Sequence, residues 1–410
     1  MRYVLTLNAG SSSLKFGLFG LMGMQQNRML GGHIQASGDV MSLHVGDGVG
    51  KTVANRQLVS KGNSIDANGA LEMLLEWLPT AMPNLNLAAI GHRVVHGGAN
   101  FSMPVVLDDA VIAALERLAP LAPLHQPFNL KGIAAAHAAF PGVPQIACFD
   151  TAFHSEHPFE EAAFGLPRSY YADGIRRYGF HGLSYDYVTR QMARIAPDIA
   201  DGRIVIAHLG NGASLCAVHE RRSITSTMGF SALDGLVMGT RCGDIDPGVL
   251  LYLMTEKGMD AAALTQLLYH ESGLKGLSGV SHDMRALETS ADPHAAEAIA
   301  CFVARIRRQI GALAAAMGGI DALVFTGGIG ENSARIRAAV TADMEWLGVT
   351  IDPERNNDDN ECCEISARQS RVRAFRIRTD EEAMIARYVV GLMAAAGADL
   401  LPLEQVRWVA

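Results

Sequence analysis

A short strand–turn–strand pattern occurs twice in this chain, and it constrains the possible folds more than any other feature. The first copy spans residues 3–19, with a turn of small residues at 8–13, and the second spans 203–218, with a turn at 210–213. Alternating strand-like and helix-like segments connect the two copies, which is typical of α/β proteins. The sequence therefore predicts an α/β fold with two halves of similar topology, and a ligand cleft between such halves.

Length and composition agree with two folded domains. A chain of 410 residues exceeds the usual size of one hydrophobic core, and its 49% hydrophobic and 19% charged residues are typical of globular proteins. The net charge of −8 and the absence of a basic stripe argue against nucleic acid as a partner. If the substrates are anions, a few local Arg, Lys and backbone N–H groups must bind them.

The sequence also predicts a cytoplasmic protein with no membrane partner. No apolar run reaches the length of a membrane span, and no signal-peptide pattern follows Met1. The six cysteines lack paired CxxC spacing, so we expect reduced thiols.

Periodicity and turn residues locate the secondary structure. We expect a loop over the proline-bounded segment 120–127 and a turn over 326–333, whereas the segment 21–66 gives little indication of function. Helices are predicted at 67–78, 108–118, 186–195, 293–317, 333–346 and 380–396.

Three turns have the small residues and donors that bind phosphate groups. The first carries Asn8, Ser13 and Lys15, the second spans His208–Ser214, and the third is 326–333. An ordinary hairpin is the commoner explanation for the first turn alone and for the second. Gly328, Gly330 and Ser333 approach a dinucleotide fingerprint, but the pattern lies far from the N-terminus and no acidic residue is placed to bind a ribose.

Two arginines and several histidines lie in glycine-bounded loops. Arg93 and Arg241 occur in Gly-His-Arg and Gly-Thr-Arg contexts, where a guanidinium suits bidentate binding of carboxylate or phosphate. A surface salt bridge is the alternative for either arginine. We interpret His154 and His157 as solvated loop residues, since no metal-binding helix motif accompanies them.

Together, these segments resemble the acetate kinase family over nearly the whole chain. Ten motifs carry the resemblance, in the family's order: NAGSSSLK (8–15), GHRVVHGG (91–98), APLHQP (122–127), FDTAFH (149–154), RRYGFHGLS (176–184), HLGNGAS (208–214), STMGF (226–230), MGTRCGDIDPG (238–248), FTGGIGENSARIR (325–337) and TDEEAMIAR (379–387).

The resemblance implies a fold and a domain division. The fold would be that of acetate and sugar kinases, Hsp70 and actin (ribonuclease H-like), with two similar α/β domains around an interdomain nucleotide cleft. Residues 1–150 and 382–410 would form the N-terminal domain with the returning C-terminal helix. Residues 151–381 would form the nucleotide-binding domain, and the protein would be a homodimer.

The resemblance also implies an activity, the reversible in-line transfer of a phosphoryl group between ATP and acetate, which gives acetyl phosphate and ADP. Mg²⁺, or alternatively Mn²⁺, would be held by Asn8 and Glu381. Because a carboxylate substrate is already ionised at pH 7, we expect Asp150 to organise cations or water instead of accepting a proton. The implied catalytic residues are Arg93, His125, Asp150, His181 and Arg241.

Nucleotide and substrate contacts follow from the same motifs. Beside Arg93, the acetate methyl group would contact Val95, Leu124, Phe180 and Ala232. The phosphates would contact Ser13, Lys15, His208, Leu209, Gly210, Asn211 and Gly212. The adenosine would be bordered by Asp283, Met284, Arg285, Gly328, Ile329, Gly330, Glu331 and Asn332.

Two positions depart from the family's usual residues: Met284 replaces a Phe, and Ala232 replaces a Pro that lines the methyl pocket. The smaller Ala232 keeps propionate or another short-chain carboxylate open as an alternative substrate. An actin-like or Hsp70-like ATPase is a second alternative, although Arg93, His125 and Arg241 would have no evident purpose there.

Overall fold

The computed structural model describes residues 1–10, 13–22, 25–37, 40–59, 67–358 and 362–397. The chain divides into two compact units. The first consists of Met1–Ala152 and the described part of Asp380–Ala410, and the second consists of Phe153–Thr379. None of the described helices is both long enough and apolar enough to cross a membrane.

The first unit is built on an eight-stranded sheet with the order β5-β4-β3-β2-β1-β6-β8-β7. Its elements are β1 (Tyr3–Ala9), β2 (Ser13–Met22), β3 (Gln25–Ser37), β4 (Val40–Asp47), β5 (Thr52–Val59), α1 (Ala67–Ala81), β6 (Leu87–Val94), β7 (Val105–Val106), α2 (Asp109–Arg117), α3 (Gln126–Ala139) and β8 (Gln145–Phe149), with α15 (Glu381–Ala395) returning from the end of the chain.

Helices cover both faces of the central strands in this sheet. Ile90 of β6 packs in a core with Leu71 of α1 and Ala136 of α3. The next residue, Gly91, points to the opposite face, where an added Cβ would lie 2.5 Å from Ile385 Cγ2 of α15. Burial on both faces explains why β1 and β6 consist of nearly continuous apolar residues.

The second unit is built on a six-stranded sheet with the order β11-β10-β9-β12-β14-β13. Its strands are β9 (Ile204–Leu209), β10 (Ala213–His219), β11 (Arg222–Ser226), β12 (Ala322–Thr326), β13 (Cys362–Glu364) and β14 (Arg373–Ile377). Its helices are α4 (Phe159–Ala162), α5 (Arg168–Ala172), α6 (Gly182–Ile195), α7 (Pro247–Thr255), α8 (Ala261–Gln266), α9 (Gly273–Ser278), α10 (Met284–Thr289), α11 (Pro293–Ala316), α12 (Gly327–Asn332), α13 (Ala334–Thr341) and α14 (Pro353–Asn356). Single helical turns occur at Ala119–Leu121, Ala152–His154, Leu267–Glu271 and Glu345–Leu347.

The two sheets share one topology, which confirms the repeat predicted from the sequence. In the first, β3-β2-β1 pair antiparallel and β1-β6-β8 pair parallel. In the second, β11-β10-β9 pair antiparallel and β9-β12-β14 pair parallel. Three residues separate β1 from β2, and three separate β9 from β10. Ser11 and Ser12 of the first of these turns lie outside the described residues.

Most predicted helices are present, with three corrections. The loop predicted over 120–127 ends before Gln126, where α3 begins. Pro127 lies in the first turn of this helix, where a proline is tolerated. The turn predicted over 326–333 is wrong, since Gly327–Asn332 form α12. The helix predicted over 333–346 ends at Thr341, because Asp343 adopts a left-handed φ of 60°.

The segment 21–66, which gave little indication of function, contains the end of β2 and the strands β3, β4 and β5. Residues 23, 24, 38, 39 and 60–66 of that segment lie outside the described residues. The cysteines whose side chains are described are free thiols: Cys148, Cys216, Cys242, Cys301 and Cys363.

Candidate active site

Three parallel strands of the first unit place polar side chains at one edge of the sheet. Asn8, Arg93 and Asp150 lie at or just beyond the carboxyl ends of β1, β6 and β8, which are neighbours in the sheet. Arg93 donates from Nε to both carboxylate oxygens of Asp150, at 3.0 and 2.9 Å, and from Nη1 to Asn8 Oδ1 at 3.0 Å. The sheet topology therefore brings together three of the residues predicted from separate motifs.

The first turn of α15 adds two carboxylates to this group. Asn8 Nδ2 donates to Glu381 Oε2 at 2.9 Å and to Glu382 Oε1 at 3.2 Å. Glu381 Oε2 lies 3.7 Å from Arg93 Nη1. Acidic residues are favourable in the first turn of a helix because they offset its partial positive charge. We refer to Asn8, Arg93, Asp150, Glu381 and Glu382 as the carboxylate cluster.

Burial and like charges shift the protonation of the carboxylate cluster. Burial raises the pKa of Asp150, and the neighbouring Arg93 guanidinium opposes that rise. Burial and the Glu381 carboxylate raise the pKa of Glu382, whereas Lys15 and the Asn8 amide oppose the shift. Carboxylates that raise one another's pKa values are stabilised by an added cation.

The oxygen atoms of the carboxylate cluster could bind a magnesium ion that is also bound to nucleotide phosphates. Glu381 and its neighbours supply carboxylate oxygens, the ligands that Mg²⁺ prefers. Among the described residues, no group of three or more His, Cys, Asp or Glu side chains forms a ready-made metal site. An ion here would therefore take its remaining ligands from phosphates and water, which is how Mg²⁺ usually binds in kinases.

The remaining predicted residues of the first unit flank this edge. Lys15 of β2 is exposed and lies opposite Asn8 in the antiparallel register, and Ser13 begins the same strand. His125 is the N-cap residue of α3 and is partly buried, as is Leu124. Val95 is buried, and its N–H donates to Asn129 Oδ1 at 3.0 Å.

Asn129 links two of the predicted motifs by hydrogen bonds. The sequence analysis did not identify this residue. Its Oδ1 accepts from Val95, and its Nδ2 donates to the Ala9 carbonyl at 3.1 Å, so α3 links the loop after β6 to the first turn. The position of Asn129 in the first half of α3 gave no local indication of this role.

In the second unit, two predicted histidines stack beside the glycine turn 210–212. The rings of His181 and His208 have centroids 4.3 Å apart and an interplanar angle of 23°. His181 has a left-handed φ of 59° and immediately precedes α6. An added Cβ on Gly212 would lie 3.3 Å from His181 Nε2 and 3.4 Å from Arg241 Nη2. An imidazole and a guanidinium therefore converge on this turn.

The Arg241 loop is held by backbone contacts. Arg241 Nη1 donates to the Ala232 carbonyl at 2.7 Å, and Gly239 N donates to the Asn211 carbonyl at 3.0 Å. These bonds connect the guanidinium to the turn and to the position where the family commonly has proline. Phe180, which precedes His181, is buried.

The residues predicted to border adenosine have different environments. Met284 is buried in the core, whereas Arg285 is exposed and pairs with Asp283 through a 2.7 Å contact. Gly328 has open space around its Cα, and Asn332 is exposed. The Glu331 carboxylate turns inward, where it accepts from the N–H groups of Gly327 and Thr379 at 2.9 and 3.0 Å.

Arg337 is a second residue that sequence reasoning missed. This guanidinium is 1% exposed and donates to the carbonyls of Gly330 and Glu331, both at 2.9 Å, and to Asn356 Oδ1 at 2.7 Å. It satisfies carbonyls at the end of α12 that have no partner within the helix. Arg337 therefore fixes the helix that contains Gly328, Ile329, Gly330, Glu331 and Asn332.

The interpretation of His154 and His157 as solvated loop residues is wrong. Both are buried, and His154 Nδ1 and His157 Nε2 each lie 2.7 Å from Ser223 Oγ. His154 Nε2 lies 2.9 Å from the Phe180 carbonyl. The polar sequence around them gave no sign that a long-range contact would enclose these rings.

Comparisons with known proteins agree along nearly the whole chain. A family model described as the acetokinase family matches residues 3–387. An acetate kinase from Methylocella silvestris is 53% identical over 401 residues, which cover 96% of this chain and 98% of that protein. The chain belongs to the acetokinase family. The resemblance to acetate kinases that the sequence predicted is therefore confirmed.

Solved structures extend the acetokinase match to the fold. An acetate kinase from Porphyromonas gingivalis has a TM-score of 0.83 and 37% identity, covering 96% of this chain and 100% of that one. A propionate kinase from Francisella tularensis has a TM-score of 0.85 and 35% identity, covering 95% and 99%. The predicted α/β fold of the acetate and sugar kinase, Hsp70 and actin type is confirmed. The roles of individual residues stay predictions.

Proposed function

We propose that this protein is an acetate kinase that transfers a phosphoryl group reversibly between ATP and acetate. Family membership and the 53% identity to a named acetate kinase support the activity. The observation that carries the proposal is the carboxylate cluster, in which Arg93, Asn8 and three carboxylates meet at the carboxyl edge of the first sheet. Charged groups held in this way match a reaction that depends on positioning and electrostatic stabilisation.

Arg93 and Arg241 are proposed to bind the acetate carboxylate and the phosphoryl group in transfer. A planar guanidinium can donate two parallel hydrogen bonds to either group. His125 and His181 would donate to the equatorial oxygens, where negative charge increases in the transition state. Val95, Leu124, Phe180 and Ala232 would contact the methyl group.

Asp150 is proposed to orient Arg93 instead of accepting a proton. Its carboxylate already accepts both Nε contacts from the guanidinium, and acetate is ionised at neutral pH without a base. Removing the carboxylate would leave the guanidinium held through Nη1 by Asn8 and Glu381, while its Nε edge could move out of the productive geometry.

Asn8 and Glu381 are proposed to hold Mg²⁺, with Glu382 close by. When bound, the ion neutralises charge on the phosphates that are being exchanged. Its binding would also relieve the repulsion among the carboxylates that raises the pKa of Glu382. Mn²⁺ has similar ligand preferences and is expected to substitute.

Each unit is proposed to carry phosphate-binding residues of its own. In the first unit these are Ser13 and Lys15 of the first hairpin, and in the second unit they belong to the turn that begins at His208. The adenosine edge would be formed by Asp283, Met284, Arg285 and the residues of α12. Because Met284 is buried, it would support this edge from beneath.

We also propose a cytoplasmic homodimer. The helix α7 has no buried residue, and its apolar side chains Val249, Leu251, Tyr252 and Met254 are exposed. Several exposed large apolar side chains on one helix are typical of a protein interface. The acidic net charge gives no reason to expect nucleic acid as a partner.

A coupled assay of ADP formation with MgATP, in the presence and absence of acetate, tests the proposal. An acetate kinase forms ADP only with the acid, and acetyl phosphate accumulates in equal amount. ADP formation that is independent of acetate would instead indicate the ATPase alternative. Propionate is included as a second acceptor, although the 53% identity to an acetate kinase favours acetate.

A further inference from the structure

A chain of three hydrogen-bonding groups ends on His181. Tyr185 Oη lies 2.5 Å from Ser214 Oγ, and Ser214 Oγ lies 2.8 Å from His181 Nδ1. Tyr185 and Ser214 are both fully buried, so water cannot replace these bonds. Tyr185 belongs to α6 and Ser214 to β10, the strand that follows the glycine turn.

The directions of these bonds follow from counting donors and acceptors. In the described part of the chain, Tyr185 Oη has one hydrogen-bond partner, Ser214 Oγ. The buried phenol must therefore donate to Ser214, since a buried donor without an acceptor is strongly disfavoured. The Ser214 hydroxyl proton then has one acceptor available, His181 Nδ1.

A proton on His181 Nδ1 would break this arrangement. The imidazole would then donate to Ser214 Oγ, and either the serine or the tyrosine hydroxyl proton would have no acceptor among the described residues. The same holds for the doubly protonated imidazolium, which also carries a proton on Nδ1.

Neighbouring groups favour the neutral ring as well. His208 stacks on His181 at a centroid distance of 4.3 Å, and Arg241 Nη2 approaches the same glycine turn. A positive charge on His181 would face the Arg241 guanidinium, and a second imidazolium on His208 would repel it at contact distance.

We propose that Tyr185 and Ser214 are positioning residues that hold His181 as a neutral imidazole with its proton on Nε2, directed at the glycine turn 210–212. This inference deepens the proposed function, because it rests on His181 acting as a hydrogen-bond donor to the transferring group. A fixed tautomer keeps that donor in place before the reaction begins, so no reorientation is needed when charge develops.

Nitrogen-15 NMR of histidine-labelled protein tests the proposal directly. The His181 signals are assigned by their loss in His181→Gln. In the wild type at pH 7, we expect Nδ1 to show the shift of an unprotonated nitrogen and Nε2 that of a protonated one. In Ser214→Ala, the hydroxyl that donates to Nδ1 is lost, so the two shifts should move toward each other as the other tautomer is populated.

The matched control is Thr189→Val, which removes another buried hydroxyl from α6, one with no hydrogen-bond partner among the described residues. It should leave the His181 signals unchanged. A wild-type signal from Nδ1–H or imidazolium would overturn the proposal, and so would identical spectra in Ser214→Ala and wild type. The wild-type measurement decides the tautomer even if a variant does not fold.

Kinetics provide the second readout. Tyr185→Phe and Ser214→Ala should lower kcat roughly 3–10-fold, the scale of one neutral hydrogen bond, with the KM for ATP nearly unchanged. Ser214→Thr, which keeps the hydroxyl, should recover most of the loss. Equal losses in Ser214→Thr and Ser214→Ala would contradict the positioning role. Wild-type protein without acetate-dependent activity would overturn the proposed function and leave the NMR result intact.

Discussion

Arg241 is the residue on which the proposed transfer depends most directly. Its Nη1 is anchored on the Ala232 carbonyl, while Nη2 approaches the glycine turn, so the guanidinium is oriented before any ligand binds. We expect Arg241→Ala to lower kcat by roughly 10²–10³, as for the loss of one transition-state donor. Steady-state kinetics with acetate and ATP measure the change, and the KM for ATP should shift far less.

Two further variants separate charge from geometry at this position. Arg241→Lys keeps the positive charge but loses the planar fork, so its kcat should lie between those of wild type and Arg241→Ala. Arg221→Ala removes an exposed arginine of the same unit, which pairs with Asp201, and should leave kcat unchanged. Near wild-type turnover in Arg241→Ala would show that the assigned role is wrong.

Ala232 is the residue that we expect to set the preference between acetate and propionate. A Pro ring at this position lines the methyl pocket in the family, and the smaller alanine leaves room for about one or two more carbons. We expect wild type to use propionate with a kcat/KM within about tenfold of acetate, and Ala232→Pro to favour acetate on the order of tenfold more strongly.

The proline variant is a clean test because it retains the carbonyl that Arg241 uses. Competition between the two acids at limiting ATP gives the ratio of their kcat/KM values directly. Ser231→Thr, which changes the neighbouring residue alone, should leave that ratio near the wild-type value. An unchanged ratio in Ala232→Pro would mean that the pocket is closed by other side chains.

At the scale of secondary-structure elements, α12 depends on a buried arginine. Arg337 donates to the carbonyls of Gly330 and Glu331, so its loss leaves buried acceptors unsatisfied. We predict that Arg337→Met raises the KM for ATP about tenfold or more and lowers the thermal midpoint, with a small effect on kcat. Arg308→Met, at an exposed position of α11, is the matched control and should change neither quantity. An unaltered KM for ATP in Arg337→Met would show that the position of α12 does not contribute to ATP binding.

The exposed helix α7 carries a prediction about assembly. Leu251 is 63% exposed in a helix without buried residues, so a charge there costs the folded chain little. We predict that Leu251→Glu converts a dimer of twice 43.8 kDa into a monomer, as measured by light scattering coupled to size exclusion. Val106→Glu, at a similarly exposed apolar position of β7, should remain dimeric. A dimeric Leu251→Glu variant would place the interface elsewhere.

Local sequence was sufficient for some elements and insufficient for others, for physical reasons. The hairpins of β1–β2 and β9–β10 were predictable because short apolar runs and short polar turns are local signals. Helix α12 was missed because three of its six residues are glycines, whose low helix propensity is overridden by the buried Glu331 and Arg337 contacts. The burial of His154 and His157 likewise depends on Ser223, which lies more than 60 residues away in the chain.

In the candidate site, too, some features follow from local sequence and others depend on long-range contacts. Arg93 and Asp150 were identified by motif, but their bidentate contact follows from the adjacency of β6 and β8, which no local pattern encodes. Glu382 was not predicted, because its link to Asn8 exists only once α15 returns to the first unit. The motifs named Arg93 and Asp150 as candidates, whereas their hydrogen-bond partners follow only from the fold.

At the scale of the whole molecule, buried histidines couple stability to pH. Burial lowers the pKa of His92, His96 and His154 to about 4, and that of His157 to about 3. The ordinary value of 6.5 applies in the unfolded chain, so between about pH 4 and 6.5 the unfolded state binds more protons than the folded state. Stability is therefore lost as the pH falls through this range. Asp244 acts in the opposite direction, since burial and Asp234 raise its pKa to about 6.

The last prediction isolates one of these histidines. Each contributes a slope of about 1.4 kcal/mol per pH unit where the folded ring is neutral and the unfolded ring is charged. We expect the thermal midpoint of the wild type to decrease as the pH is lowered from 7 to 5. The decrease should be smaller in His157→Gln, because glutamine can still reach Ser223 but takes up no proton. Calorimetry at several pH values measures the difference. His294→Gln removes an exposed histidine and should retain the full wild-type dependence. If the curves of His157→Gln and wild type run parallel, burial of His157 does not contribute to acid sensitivity, and the decline must arise from the other three rings or from the carboxylates.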